Sequence, residues 1–412
     1  METKNILRDE VVLRRRGDFP FLSTHPELVY FDNAATTQKP QSVLWSQQNW
    51  YQNLNSNPLR GMYDLSAKAT AQYERARALV ASFIGANTDE IIFTSGATMG
   101  LNFLALMQTA NCQKGDEILV SVLEHHANLL PWQELARRNG ARLVYIEPDE
   151  NGFLSVDALT RQMSTRTKIV ALTGMSNVVG NPPALKHISQ LIHKNNALFF
   201  VDGAQLIAHQ AINVHALDID ALSFSGHKLY GPMGIGVLYL RRQLAEQVPP
   251  IFVGGEMISE VTRDHFTLAP IPQRFEAGTV NAAGAVGLAK AIEYVQELGM
   301  NNIAAREQEL TMYLLQQMQS LPAVQILGSA NASDHCGLVS FNLADVHAHD
   351  VATILAREGI AVRAGHHCAA VLHQFFGVPA SVRVSLSWYN TRGEIDKFIR
   401  VLATVRGRMG YE

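Results

Sequence analysis

The chain is 412 residues long and 47% hydrophobic, with 34 basic and 37 acidic residues. That length and apolar content suffice for one large core and a smaller one, and a net charge of −3 gives no electrostatic case for a nucleic-acid or membrane-surface partner. Three cysteines (Cys112, Cys336, Cys368) are too few and too scattered for a disulfide framework or a closed zinc site. No uninterrupted apolar run is long enough to span a bilayer, and the charged N-terminus lacks the apolar segment of a signal peptide, so a cytoplasmic protein is expected.

From about residue 90 onward, short apolar strands alternate with amphipathic helices. Strand 90–94 precedes helix 98–108, then come strand 116–121, helix 131–139, strand 141–146, strand 168–173, helix 184–195 and strand 197–201. Strands 221–224 and 236–240 follow, on either side of the Gly231-Pro232 turn. This is the pattern of an α/β fold with a mostly parallel sheet covered on both faces. After Gly287 the pattern changes: a long helical stretch (288–299, then 304–320) leads to strands near 324–327 and 337–343. A helix at 350–358, strands near 360–363 and 382–387, and a closing helix from 392 suggest a smaller α+β unit. The expected organisation is an N-terminal segment, 1–30, packing with the small unit, a large unit, 31–287, and a small unit, 288–412. Ligand is expected in the cleft between the two larger units.

The most informative spacing is Asp202-Gly-Ala-Gln205 against Ser225-Gly-His-Lys228, each at the end of an apolar run. Ligands collect beyond the carboxyl ends of such strands, so a carboxylate and a lysine are expected to face one crevice. Pyridoxal phosphate (PLP) needs that pair: the lysine for a Schiff base, the aspartate to keep the pyridine nitrogen protonated. Thr94-Ser-Gly-Ala-Thr98 stands at a strand-to-helix junction, where amides and hydroxyls form an anion site, although such clusters also serve as plain helix caps. Leu123-Glu-His-His-Ala-Asn128 offers an imidazole to stack on a flat ring, or else a solvated histidine pair. Ser176-Asn177 adds an amide. Cys368, in Ala364-Gly-His-His-Cys-Ala-Ala370, lies beside two imidazoles and just before an apolar stretch, 371–376, that reads as a short helix; a thiol there is expected to be acidified and nucleophilic. His366-His367-Cys368 also reads as half a zinc site, but without a second ligand cluster.

Taken together, Tyr30-Phe-Asp-Asn-Ala-Ala-Thr36, Glu124-His-His-Ala-Asn128, Met175-Ser-Asn-Val178, Val201-Asp-Gly-Ala-Gln205 and Phe224-Ser-Gly-His-Lys-Leu-Tyr-Gly-Pro232 form one series of motifs. Arg274-Phe-Glu-Ala-Gly-Thr279, Arg363-Ala-Gly-His-His-Cys368 and Arg383-Val-Ser-Leu-Ser-Trp-Tyr-Asn-Thr391 continue it. The series resembles the fold-type I, class V aminotransferase-like PLP enzymes, and within them the cysteine desulfurases of the SufS/CsdA group. The resemblance implies a seven-stranded, mostly parallel large-domain sheet and a site assigned residue by residue. Lys228 is the Schiff-base lysine, Asp202 the partner of the pyridine nitrogen, His125 the stacking imidazole and Gln205 the contact to the phenolic oxygen. Ser225, His227 and Thr98 hold the phosphate, with Thr279 reaching the phosphate of the other subunit of a homodimer. Asn177 and Arg383 bind the carboxylate of L-cysteine, and Cys368 takes its sulfur as a persulfide, releasing alanine. The implied role is sulfur donation for iron–sulfur cluster assembly through a SufU- or SufE-type acceptor. Asp345-Val-His-Ala-His-Asp350 resembles the version that uses a SufU-type acceptor, which would make His349 an acceptor-docking residue; a solvated surface histidine is the alternative.

The chain departs from the family pattern at four places: Ser95-Gly-Ala-Thr-Met99, Leu59 in Asn57-Pro-Leu-Arg-Gly61, Glu256, and Val371 where a proline usually stiffens the thiol loop. Rival readings are a selenocysteine lyase, another class V lyase or aminotransferase, and a non-catalytic PLP-fold scaffold. Ser225-x-x-Lys228 also matches the Ser-x-x-Lys of penicillin-binding enzymes, but the companion motifs of that class are absent.

Overall fold

The computed structural model describes residues 7–411. Seven strands form the central sheet, in the spatial order Ile91–Thr94, Gly236–Leu240, Ala221–Ser225, Leu198–Asp202, Thr167–Thr173, Glu117–Ser121 and Arg142–Ile146. All run parallel except Gly236–Leu240, which is antiparallel to both neighbours. Alternation of side chains across the pleat divides the sheet's residues between two cores. Leu119, Val170, Phe199, Val201, Leu222 and Val237 enter one, while Ile118, Val120, Ile169, Phe200, Ala221 and Leu238 enter the other. Both faces are therefore apolar, as a parallel sheet flanked by helices requires.

The second unit is a four-stranded antiparallel sheet, ordered Val324–Ile326, Leu338–Leu343, Ser381–Ser385 and Arg363–Gly365. Its own core gathers Leu310, Leu314, Val339, Val382, Val384 and Phe398 with residues of the helices Met300–Gln319, Ala348–Arg357 and Arg392–Arg408. The break expected after Gly287 falls inside the helix Ala282–Leu298, which lies against Gln41–Asn49 and Asp64–Ile84. The sequence here is Ala282-Ala-Gly-Ala-Val-Gly287, whose two glycines weaken helix propensity. Asn281 caps the helix by accepting from the Gly284 amide, and Gly299 (φ +81°) ends it.

The expected N-terminal segment lies partly outside the described residues, at 1–6. Its remainder joins both units: Phe19 packs on Tyr230, Tyr294, Trp388 and Tyr389, and Val29–Tyr30 pairs in parallel with Ile360–Ala361. The chain then passes from the small unit's edge directly into the cleft, with Asp32 bridged to Ser385.

Candidate active site

Three strand ends set the floor of the cleft. Thr173, Asp202 and Ser225 are the last residues of adjacent strands, so they emerge side by side. After Ser225 the chain makes a short helical turn, Gly226–Lys228, and after the loop 229–235 returns through Gly236–Leu240. Gly236 is required there: a Cβ would lie 2.5 Å from the Gly96 Cα and 2.6 Å from the Phe224 carbonyl oxygen. That close approach lets the Ala97 amide, at the start of the helix Ala97–Met107, donate to Ser225 Oγ at 2.8 Å.

The floor opens into a cavity of about 340 Å³. Ten of the twelve candidate residues line it: Thr98, His125, Asn177, Asp202, Gln205, Ser225, His227, Lys228, Cys368 and Arg383. Asp202 is buried and takes the Ala204 amide at 2.9 Å; burial pushes its carboxyl upward, against the pull of that amide and of Lys228. Burial also brings the Lys228 amine down to about 8, with Asp202 opposing and Arg383 reinforcing the shift. Desolvation, then the charge of Lys228, lowers His125 and His227 to about 4 each, so both rings are neutral near pH 7. His125 Nδ1 accepts from the Ala127 amide at 3.0 Å, which leaves the proton on Nε2. The turn that carries His125 is anchored by the buried Glu124, which accepts from Asn128 Nδ2 at 2.6 Å and from the Thr173 amide at 3.0 Å. Gln205 spends its amide nitrogen on the Ala34 carbonyl at 2.9 Å.

The roof comes from the small unit. Arg383 is buried and gives one nitrogen to the Asn177 carbonyl at 3.0 Å and another to Asp32 at 3.3 Å, leaving Nε buried without a partner. Arg363 grips the same Asp32 in bidentate fashion, at 3.0 and 2.8 Å. Neither Asp32 nor Arg363 is among the expected site residues, although both lie within the motifs that carry the resemblance. They are 331 residues apart and no local pattern joins them. Desolvation lowers Arg383 to about 10, so the roof presents two cations, one of them half stripped of partners. An incoming carboxylate fits this arrangement.

Cys368 is exposed at the cavity mouth, two residues before the helix Ala370–Phe375. Asn177 Nδ2 donates to the His367 carbonyl at 2.7 Å, so the residue expected to bind substrate also holds the thiol loop. Two candidates stand elsewhere. Thr279 is exposed outside the cavity, and His349 is exposed near the start of the helix Ala348–Arg357, its Nε2 3.7 Å from where a Cβ on Gly365 would sit.

Some of the segments expected to depart from the family pattern meet in space. The Ser95 amide and hydroxyl both reach Met99 Sδ, at 3.3 and 3.2 Å, so the two altered side chains satisfy each other. Arg60, next to Leu59, forms an ion pair with Glu256 at 2.8 Å. Both Leu59 (φ +81°) and Glu256 (φ +68°) hold left-handed backbone.

Known proteins share this architecture from end to end. The sequence profile of "Aminotransferase class-V" matches residues 29–398. A probable cysteine desulfurase of Synechocystis is 44% identical over 399 residues, 95% of each chain. The apo structure of the cysteine desulfurase from Thermococcus onnurineus NA1 superposes with a TM-score of 0.93 at 38% identity, covering 99% of this chain and 100% of that one. The cysteine desulfurase CsdA from Escherichia coli, in an S-sulfonic acid form, gives 0.89 at 36% identity, with coverages of 96% and 98%. The chain belongs to the class-V aminotransferase family, among its cysteine desulfurases.

Proposed function

We propose that the protein is a PLP-dependent cysteine desulfurase that converts L-cysteine to L-alanine and leaves the sulfur as a persulfide on Cys368. The observation that carries this reading is one cavity holding Lys228 and Asp202 on its floor, Arg383 in its roof and the Cys368 thiol at its mouth.

The residues fit PLP. Asp202 is buried and forms no ion pair among the described residues, so its carboxylate suits a protonated pyridine nitrogen. His227 Nδ1 is buried without a partner among the described residues, and it stands with Ser225, Thr98 and the amides that follow Ala97 at the start of the helix Ala97–Met107 as donors for a phosphate. His125 would cover the ring and Gln205 would reach its phenolic oxygen. When bound, PLP supplies an electron sink at the substrate's Cα.

The chain's own residues do the rest. Arg383 and Asn177 take the carboxylate and fix the amino acid with its thiol toward the cavity mouth. Lys228, with an amine near pH 8, exchanges a proton between its Nζ and the substrate's Cα or Cβ at neutral pH. The Cys368 thiolate attacks the substrate sulfur: an S–S bond forms, the C–S bond breaks, and its electron pair goes to carbon, which is protonated to give alanine.

Sulfur then passes from Cys368 to a SufU- or SufE-type acceptor, in the cytoplasm, for iron–sulfur cluster assembly. Exposed His349 beside Gly365 supports docking of the acceptor at the thiol-loop face. A homodimer is supported by exposed Thr279, free to serve a second copy's phosphate, and by exposed Met62, Met233, Phe252 and Val253. No helix of the described residues is long and apolar enough to cross a membrane.

The test is alanine release from L-cysteine by the holoenzyme, with and without each acceptor type. We expect stoichiometric alanine and acceptor-bound sulfur, both lost in Cys368→Ala. Undiminished sulfur transfer by Cys368→Ala overturns the assignment of the thiol.

A further inference from the structure

We propose that His126 is a positioning residue for the thiol: a clasp whose imidazole holds the Cys368 loop closed and whose release lets the sulfur move outward. The inference rests on Cys368 being the sulfur acceptor.

The loop is costly to hold. His367 (φ +51°) and Cys368 (φ +55°) are consecutive left-handed residues without being glycine, a strain that persists only when the surroundings impose it. The proline that would stiffen the helix start is absent, since Val371 stands there. Hydrogen bonds do the imposing, and His126 makes two of them, at the thiol residue's own carbonyl and at the amide two residues on. Its backbone amide donates to the Cys368 carbonyl at 2.7 Å, and its Nε2 accepts from the Ala370 amide at 3.2 Å, capping the helix Ala370–Phe375. Asn177 and His373 hold the His367 and Ala369 carbonyls and the His126 backbone amide keeps the Cys368 carbonyl, so losing the His126 side chain frees the Ala370 amide, and with it the helix start beside the thiol, without unfolding the rest of the loop.

His126 also follows His125 directly, so the clasp ties the thiol to the turn that faces the cofactor cavity. On its other side, His126 borders a second cavity of about 570 Å³, with Thr98, Leu106 and Leu130 among its walls. The ring therefore has space to turn away from Ala370. Closed, the clasp keeps the thiol against the substrate; open, it lets the persulfide reach an acceptor.

The test uses holoenzyme carrying His126→Ala or His126→Gln, whose side-chain oxygen can still accept from the Ala370 amide. Three readouts are compared with the parent: iodoacetamide alkylation of Cys368 followed by peptide mass, kcat and KM for alanine formation, and the cofactor absorption spectrum. In His126→Ala we expect alkylation to quicken about tenfold and kcat to fall about tenfold, the scale of one hydrogen bond to the loop. KM should hold within about twofold and the spectrum should not move, while His126→Gln restores most of both rates. Alkylation at the parent rate in His126→Ala overturns the inference, as does an equal effect of the two substitutions or a changed spectrum. Should His126→Ala not fold, exchange of the Ala370 amide in the parent decides: protection supports the clasp and free exchange overturns it. Because alkylation is read without sulfur transfer, these outcomes are separate from the Cys368→Ala test.

Discussion

Lys228 is carried by a turn between two wholly buried strands, whereas Cys368 sits exposed between a three-residue strand and a six-residue helix. The lysine's place is fixed by sheet register, with Ser225 opposite Gly236, so moving it means breaking a ladder. The thiol's place is fixed by individual hydrogen bonds of the loop with His126 and Asn177, each worth about 1 kcal/mol net. A floor of the first kind keeps a cofactor's geometry constant through the reaction. A loop of the second kind can change position for the cost of a few bonds, as a group that must face substrate and then a partner requires.

The contrast can be broken at several points. The largest expected effect is at the floor: Lys228→Ala should lower alanine formation by about a thousandfold or more with unfolding midpoint unchanged, checked by product assay and urea titration. Arg383→Lys keeps a charge but loses the fork, and should raise KM for L-cysteine by about tenfold to a hundredfold with kcat less affected, read from initial rates. At the loop, Asn177→Ala leaves the buried His367 carbonyl without its donor and should cost about 1–3 kcal/mol of stability. Hydrogen exchange should quicken at 366–370 and not at 221–225; equal exchange in both segments would erase the difference between floor and loop.

A further effect is a pH dependence. His125 and His227 ordinarily titrate at 6.5 and are held near 4 by burial and by Lys228. The unfolded chain thus binds more protons than the folded one between those values, so stability is fully present above about 6.5 and falls as pH drops toward 4. Urea midpoints at pH 7.5 and pH 5.0 should differ less in His125→Gln than in the parent.

The sheet was largely legible because its strands are continuous apolar runs: 236–240 matches residue for residue, and most other boundaries shift by one or two. Elements before residue 90 went unassigned, including the 21-residue helix Asp64–Ile84 with its left-handed cap at Gly85. The extended segment expected at 360–363 divides into two pieces that pair with different partners, one with Val29–Tyr30 and one with Ser381–Ser385, a split that only tertiary pairing decides. At the site, residues within short motifs at strand ends were readable. Asp32, Arg363 and His126 were not, since each acts through a partner hundreds of residues away.

Gly236 shows how little separates a working cradle from a dismantled one. Hydrogen at its Cα is the only substituent that lets the returning strand slide beneath Gly96. A methyl group there would act as a wedge, prising the helix Ala97–Met107 away from the strand pair that carries Lys228. One side chain's worth of volume would put the lysine and the start of that helix out of step with each other.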